Sequence, residues 1–254
     1  MRTFFTILFI TLFSFIINAQ DVNKIDAKGK KQGVWKKYHP NGMLRYTGSF
    51  KDDKPVGVFK YYFDTGELQV KITHLGINSY ANVYYITGEL QATGKYENQK
   101  KDSIWTLYDE KGYKSAEEFY LSGKREGTWK IYYPSGKVLE EKEYSNDLEH
   151  GKWNRYFENG KPKMTATYEN GVLEGRATYY GTNYKRAVSG VFHKDVRHGF
   201  WTFYEADGNT VRKKEQYNKG VRIDTGKDEE VIDDREIEYL PESILDPSNF
   251  MSPR

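Results

Sequence analysis

The sequence predicts an all-β protein, an elongated single-layer antiparallel β-meander of about eight 24-residue hairpin repeats that ends in a short C-terminal cap or tail. The first observation is a tyrosine that recurs every 24 residues, with one step of 22, at Tyr38, Tyr62, Tyr84, Tyr108, Tyr132, Tyr156, Tyr180 and Tyr204. The second is a turn glycine four residues after seven of these tyrosines, at Gly42, Gly66, Gly88, Gly112, Gly136, Gly160 and Gly208. Repeats of this length bury their apolar side chains only by stacking on their neighbours, so the copies are expected to form one array.

Within each repeat the pattern is that of a β-hairpin. The first strand reads Gly-x-Trp-x-x-Tyr in its clearest copies, and turn dipeptides such as Asn41-Gly42 follow it. Asn and Gly suit such turns because both tolerate positive φ. In the second strand Leu44, Tyr46 and Phe50 alternate with polar residues, which predicts one buried and one wet face. With strands about 4.8 Å apart, eight hairpins would extend roughly 80 Å.

Two copies depart from the pattern and are expected to bend or weaken the sheet. The third copy has Ser79 and Ala81 at the glycine and tryptophan positions and includes the 22-residue step. The seventh has Ala177 at the tryptophan position and Tyr184 at the turn glycine. Twelve residues after the repeat tyrosine stand Phe50, His74, Tyr96, Tyr120, Tyr144, Tyr168, Phe192 and Gln216.

The ends of the chain lie outside the repeats. Residues 1–19 are predicted to be a cleaved signal peptide, because Arg2 precedes an apolar run over 4–17 and Ala19 supplies a small residue at the cleavage point. The alternative is a membrane anchor, but a spanning helix needs about 20 apolar residues. Residues 20–27 form a polar lead, 28–220 the repeat array and 221–254 an acidic tail or cap. A periplasmic or extracellular location is therefore expected.

Charge is divided between the array and the tail. Residues 221–254 contain ten acidic and four basic residues, whereas residues 20–220 have a net charge of +8. The tail is predicted either to be a passive acidic extension or to cap the last repeat next to Trp201 and Tyr204. The apolar residues available for such a cap are Ile223, Val231, Ile232, Ile237, Tyr239 and Leu240.

No catalytic, cofactor or metal site is predicted. His150 and His198 stand two repeats apart, about 20 Å, which is too far to share an ion whose ligands lie about 2 Å away. His193 and His198 flank one turn, but no pair of carboxylates completes a ligand set. Glutamates 140, 141 and 143 are expected on a wet strand face, and the absence of Cys excludes a thiol nucleophile.

The candidate binding face is the aromatic row three residues before the repeat tyrosines: Trp35, Phe59, Trp105, Trp129, Trp153 and Trp201. The odd separation places this row and the tyrosines on opposite faces of the strand, and a single-layer sheet cannot fully bury both. The alternative is that the array curls and the rings pack against glycines of neighbouring repeats. As an exposed ladder the row would bind another protein, and a glycan or an anionic membrane surface are further candidates; nucleic acid is not expected.

The repeats resemble the MORN repeat, in the variant form found in exported bacterial proteins. The match is clearest at 149–160, Glu-His-Gly-Lys-Trp-Asn-Arg-Tyr-Phe-Glu-Asn-Gly. Related bacterial arrays are often named antitoxins, and MORN arrays elsewhere are linked to membrane lipids and to protein assembly. The resemblance implies an exported, non-enzymatic repeat protein that acts as a protein-binding or scaffold surface. An antitoxin-like partner of a toxin and a module for anionic membrane headgroups are the alternatives.

Overall fold

The computed structural model describes residues 22–223, which form one open antiparallel sheet with no helix in that range. Successive strands pair along the chain, apart from two strands that are each divided into two segments, and both segments then pair with the same neighbour, which confirms the predicted all-β meander. The twenty strands are β1 (Lys24–Ile25), β2 (Lys31–Tyr38), β3 (Leu44–Lys51), β4 (Lys54–Tyr62), β5 (Leu68–Leu75), β6 (Asn78–Tyr84), β7 (Leu90–Glu97), β8 (Lys100–Tyr108), β9 (Lys114–Leu121), β10 (Lys124–Arg125), β11 (Gly127–Tyr132), β12 (Val138–Ser145), β13 (Leu148–Tyr156), β14 (Pro162–Glu169), β15 (Val172–Leu173), β16 (Gly175–Tyr180), β17 (Arg186–His193), β18 (Val196–Tyr204), β19 (Val211–Asn218) and β20 (Val221–Ile223).

The described range begins inside the predicted polar lead and ends just after the predicted array. Strand β1, within the lead, pairs with β2, and β20 pairs with β19 beyond Gly220. The predicted signal peptide at 1–19 and residues 224–254 of the predicted tail or cap lie outside the described residues.

A bulge of two residues sets the length of the repeat. Between β3 and β4, Ser49 lies opposite Val56 but Thr47 lies opposite Lys60, so β4 has two extra residues. Gly57 occupies the bulge with a φ of 67°, a conformation that glycine adopts without steric cost. In the fifth and seventh copies the same irregularity divides the first strand into β10 and β11, and into β15 and β16.

The third copy, which follows the preceding one after 22 residues and not 24, lacks this bulge. Strands β5 and β6 pair without interruption from Val70 opposite Val83 to Leu75 opposite Asn78. The two missing residues are therefore the bulge itself, and the ladder at this copy is intact. Ala81 is only 1% exposed, so the smaller side chain is also accommodated.

The last copy differs from the sequence-based alignment by one residue. Tyr204 lies opposite Val211, whereas Tyr180 lies opposite Arg186, because the turn at Gly208 contains one more residue. Gly199 consequently faces Tyr217. The assignment of Gln216 to the aromatic position is corrected to Tyr217.

The two faces of the sheet differ in how deeply their side chains are buried. Along β14, Met164, Ala166 and Tyr168 are buried while Thr165 and Thr167 are not. We call the face of these buried residues the inner face and the opposite one the outer face. A cluster of buried apolar residues lies on the inner face of the last three copies and contains Trp153, Met164, Ala166, Tyr168, Leu173, Ala177, Tyr179, Val188, Phe192, Trp201 and Phe203.

Candidate binding surface

The predicted aromatic row lies on the inner face and is not an exposed ladder. Phe59, Trp105, Trp153 and Trp201 are each at most 2% exposed, and Trp35 and Trp129 are half-buried. The row is therefore corrected from an exposed binding face to packed rings. Glycines make the room for three of them: a Cβ at Gly48, Gly94 or Gly190 would lie 2.2–2.3 Å from the ring of Phe59, Trp105 or Trp201.

Three indoles lie over the preceding strand and bond to its backbone. The Nε1 of Trp105 donates to the carbonyl of Lys95 at 3.0 Å, and the Nε1 of Trp129 donates to that of Phe119 at 2.9 Å. Trp201 donates in the same way to Val191 at 3.2 Å. The indole N–H groups thus have partners although the rings are shielded from water.

Basic side chains cover the rings from the solvent side. A Lys or Arg seven residues before the repeat tyrosine lies over both the ring of the tryptophan row and the aromatic residue of the second strand. The four cases, with distances to the first ring, are Lys31 on Trp35 (4.9 Å) and Phe50, Lys101 on Trp105 (4.5 Å) and Tyr120, Arg125 on Trp129 (5.7 Å) and Tyr144, and Arg197 on Trp201 (4.7 Å) and Tyr217. These aliphatic stems and cation–π contacts help a single layer bury aromatic rings.

The repeat tyrosines lie on the outer face, and three of their hydroxyl groups bond to the preceding copy. Tyr132 donates to Glu117 at 2.6 Å and Tyr156 donates to Glu141 at 2.9 Å. The hydroxyl of Tyr204 lies 3.1 Å from that of Ser189. The Tyr132 hydroxyl, with Lys114 as a second partner, lowers the pKa of Glu117 from its ordinary value, because these groups stabilise the charged carboxylate.

Replacing Tyr132 with Phe is expected to raise the pKa of Glu117 towards its ordinary value, since the largest stabilising contact of the carboxylate is lost. A lowered folded-state pKa contributes stability above the unfolded-state pKa, about 4.3, that is lost as the pH falls through the folded-state value. The stability difference between wild type and Tyr132→Phe should therefore shrink on acidification. NMR titration measures the pKa of Glu117, and urea denaturation at neutral and acidic pH measures the stability difference between the two proteins. Tyr108→Phe is the control, and an unchanged Glu117 pKa in Tyr132→Phe would contradict the assignment.

The outer face exposes a strip of apolar residues in the second to fourth copies. We call it the outer apolar strip; it consists of Val56, Val58, Tyr80, Ile104 and Phe119. The first four are 38%, 44%, 50% and 55% exposed, and Phe119 is half-buried. The strip runs from β4 to β9, five strand spacings or about 24 Å.

The register shows which residues lie between the members of the strip. Thr73 lies between Val58 and Tyr80, Lys95 lies between Tyr80 and Asp102, and Ile104 lies directly opposite Phe119. Sequence reasoning missed this strip, although the signal was present four residues before the repeat tyrosine. That position is Val34, Val58, Tyr80 and Ile104 in the first four copies and Thr128, Lys152 and Arg176 in the next three.

The strip ends in a groove of about 350 Å³ at the bulge of the fifth copy. Strand β11 pairs with β9 at only two positions, Lys130 with Glu117 and Ile131 with Ala116. The residues lining the groove are Ile104, Glu117, Glu118, Phe119, Gly127, Thr128 and Lys130. An apolar floor beside a carboxylate and an ammonium group is suited to hold a side chain of a partner.

The histidine and carboxylate residues do not converge on a metal site in the described range. No group of three or more His, Asp or Glu residues there has the arrangement of a metal site. His193 and His198 do meet, with ring centroids 5.7 Å apart, and the Nδ1 of His193 lies 3.0 Å from Glu174. Residues 22–223 also contain no helix long and apolar enough to cross a membrane.

Comparison with known proteins identifies the repeats. Residues 31–52, 55–75, 125–146 and 149–170 match the family model described as MORN repeat variant. These segments correspond to β2–β3, β4–β5, β10–β12 and β13–β14. The chain therefore contains MORN-variant repeats, and such repeats generally act as protein- or membrane-binding modules.

Comparisons with curated sequences and with solved structures give no further family assignment. No curated protein sequence matches the chain. A crystal structure of TarM is 13% identical over 48% of this chain, with a TM-score of 0.24. A S. aureus TarM mutant in complex with Fondaparinux, alpha-GlcNAc-glycerol and UDP is 10% identical over 46% of this chain, with a TM-score of 0.25. The chain spans about a fifth of the length of those two proteins, 20% and 19%.

Proposed function

We propose that this protein is an exported, non-enzymatic scaffold that binds another protein through the outer apolar strip and its terminal groove. The observation that supports this most directly is the exposure of Val58, Tyr80 and Ile104 on the outer face of three successive copies. Clusters of exposed apolar side chains mark interaction sites in soluble proteins. Within residues 22–223 the inner face has no comparable exposure, because its rings are covered by basic side chains.

The composition of the strip fits the centre of a protein interface. Interface centres are enriched in aromatic residues and depleted in charge, with polar residues at the rim. Tyr80 and Phe119 supply the aromatic surface, and Glu117 and Lys130 line the groove at one end. Export through the predicted signal peptide at 1–19 is part of the proposal.

The antitoxin-like role and the membrane-surface role remain alternative functions. The second has a specific observation in its favour, a basic row on the same outer face. Thr47 lies between Lys36 and Lys60, and Lys60 lies opposite Lys71. Such a row would attract anionic headgroups or an acidic partner over about a Debye length.

Replacing Ile104 with Asp is expected to weaken partner binding at least tenfold, since it places a charge at the centre of the strip. Affinity capture from the native envelope fraction identifies the partner, and titration of that partner gives the affinity. Phe200→Asp is the matched control, because Phe200 is 60% exposed at the corresponding position of the last copy, outside the strip. Equal partner affinities of the Ile104→Asp and Phe200→Asp variants would exclude the outer apolar strip as the binding surface. Loss of anionic-vesicle binding in Lys60→Glu/Lys71→Glu, with no protein captured, would instead support the membrane alternative.

A further inference from the structure

The ion pairs within residues 22–223 begin only at the end of the third copy. All of them join residues between Lys95 and Arg222. Lysines on the outer face of strands β2 to β5 have no ion-pair partner among the described residues. They are Lys36, Lys51, Lys54, Lys60 and Lys71. Cations left unpaired on one face attract an anionic partner.

These lysines form two rows, one on each side of the outer apolar strip. On the outer face of β4, Val56 lies between Lys54 and Lys60. The residues opposite those two lysines on β3 are Lys51 and Thr47, four residues or about 14 Å apart. We call Lys36, Lys60 and Lys71 the first basic row, and Lys51 and Lys54 the second basic row. The gap between the rows is wide enough for one α-helix, whose diameter with side chains is about 10–12 Å.

The two aspartates in the turn of the second basic row are bonded to β2 instead of to lysines. Oδ1 of Asp52 accepts a hydrogen bond from Nε2 of Gln32 at 2.8 Å, and Oδ1 of Asp53 accepts one from the backbone N–H of Lys31 at 2.9 Å. Their carboxylates hold the turn to the neighbouring strand. The lysines of the second basic row therefore keep their charge available to a partner.

The centre of the strip differs from its β4 end, because Lys95 is already paired there. The Nζ of Lys95 lies 2.9 Å from Oε2 of Glu97 and 3.1 Å from Oδ2 of Asp102. Lys95 therefore offers no free charge to a partner. A partner that matches the strip is expected to be acidic at the end that meets the two basic rows.

The outer face suits a partner that satisfies its own backbone. Strands β4 to β8 are each paired on both sides, so a partner strand finds no free edge there. An α-helix forms its backbone hydrogen bonds internally. Because lysine side chains extend farther than valine, a flat bilayer would meet the ammonium groups first, whereas a rod-shaped helix fits between the rows. This shape favours a helical partner over a membrane surface.

We propose that the partner bound by the outer apolar strip is an amphipathic helix with an acidic end. The helix lies across the strands, with its apolar stripe on Val58, Tyr80 and Ile104 and the carboxylates of its acidic end on the two basic rows. Facing opposite charges orient such a complex and speed its formation. From β2 to β9 is seven strand spacings, about 34 Å, or about 22 residues of helix. The inference rests on the proposed function, since it names the chemistry of the partner for the same strip.

Binding of synthetic peptides to the protein tests this inference. The probe is a helix of about 22 residues with a leucine stripe and with glutamates beside the stripe in its first half. A second peptide has glutamine in place of those glutamates. The glutamate peptide should bind about tenfold more tightly at low salt, and the advantage should shrink as salt rises, because exposed charges are screened. Fluorescence anisotropy measures both affinities.

Two double variants with the same change in charge locate the contact. Lys60→Gln/Lys71→Gln removes two members of the first basic row and should abolish most of the preference for the glutamate peptide. Lys152→Gln/Lys214→Gln is the matched control, since both lysines lie opposite threonines on the outer face of later copies, and it should keep the preference. Equal preferences in the two variants would overturn the proposal.

The peptides and vesicles also separate the other occupants. Equal affinities of the wild-type protein for the glutamate and glutamine peptides would show that the partner is not acidic. Equal binding of a glutamate peptide with a scrambled stripe would show that charge alone is recognised. If Lys60→Gln/Lys71→Gln lost binding to phosphatidylglycerol vesicles but kept the peptide preference, the rows would belong to a membrane surface. Each of these three results would overturn the proposal.

The Ile104→Asp variant distinguishes this inference from the proposed function. If it weakens binding of both peptides while the wild-type protein binds them equally, the strip is a binding surface and only the acidic partner is rejected. If it weakens binding of neither peptide, the strip itself is rejected and the inference falls with it. Weaker binding of both, together with a preference for the glutamate peptide in the wild-type protein, supports both.

Discussion

Replacing Gly190 with Ala is expected to lower the free energy of unfolding by about 3 kcal/mol, the upper part of the range for added volume in a packed core. The new Cβ would lie 2.2 Å from the indole of Trp201, far inside van der Waals contact. Trp201 cannot move aside at low cost, because it is 0% exposed and its Nε1 is bonded to the carbonyl of Val191. Urea denaturation of wild type and Gly190→Ala measures the difference.

A double-mutant cycle with Trp201→Ala isolates this contact. Without the indole the added methyl group has space, so Gly190→Ala should cost at least about 1 kcal/mol less in the Trp201→Ala background. Additive effects of the two substitutions would show that the loss of stability in Gly190→Ala comes from the backbone at this position and not from contact with the ring.

Replacing Trp153 with Ala is expected to cost about 4 kcal/mol, as for other fully buried tryptophans. Trp153 is 1% exposed, its ring centroid lies 5.4 Å from that of Tyr168, and Lys142 covers it at 5.0 Å. Denaturation monitored by far-UV circular dichroism gives the loss of stability.

Trp35→Ala is the matched comparison and should cost no more than about half as much. Trp35 holds the same place in the first copy, but it is half-buried, and Phe50 and Lys31 are its aromatic and cationic neighbours. In a repeat array each copy is stabilised by its neighbours, so a ring near the end contributes less than one within the array. Equal losses for the two variants would contradict nearest-neighbour stabilisation.

The period of the sequence predicted the fold because a hairpin repeat is specified locally. Turn dipeptides such as Asn41-Gly42 and the alternation of Leu44, Tyr46 and Phe50 each encode a hairpin within one copy. The odd spacing of Trp and Tyr also predicted that the two rows occupy opposite faces. Which row is buried depends on the preceding strand, and the glycines of that strand, Gly94 and Gly190, do not belong to the turn pattern.

The covering cations and the outer apolar strip were missed for a related reason. The sequence around Lys101 and Arg125 gives no sign that the stems of these side chains lie across two rings. Ile104 and Phe119 are fifteen residues apart within one hairpin, yet their pairing across β8 and β9 matters only once the outer face is known to be exposed there. Contacts of this kind become visible when the strands are paired.

The bulge has a consequence for how such an array can change its length. Two residues are one full period of side-chain alternation, so an insertion or deletion of two within a strand returns the chain in phase, and each later side chain keeps its face. The third copy shows this: Lys71 still lies opposite Asn82, although the copy is two residues shorter. One-residue shifts occur only at the end of a hairpin beside its turn, as between Ile131 and Tyr132, and the one extra residue of the last copy lies in a turn, before Val211. Length variation in this fold is therefore expected in steps of two within strands, while odd numbers are confined to turns and to the strand ends beside them.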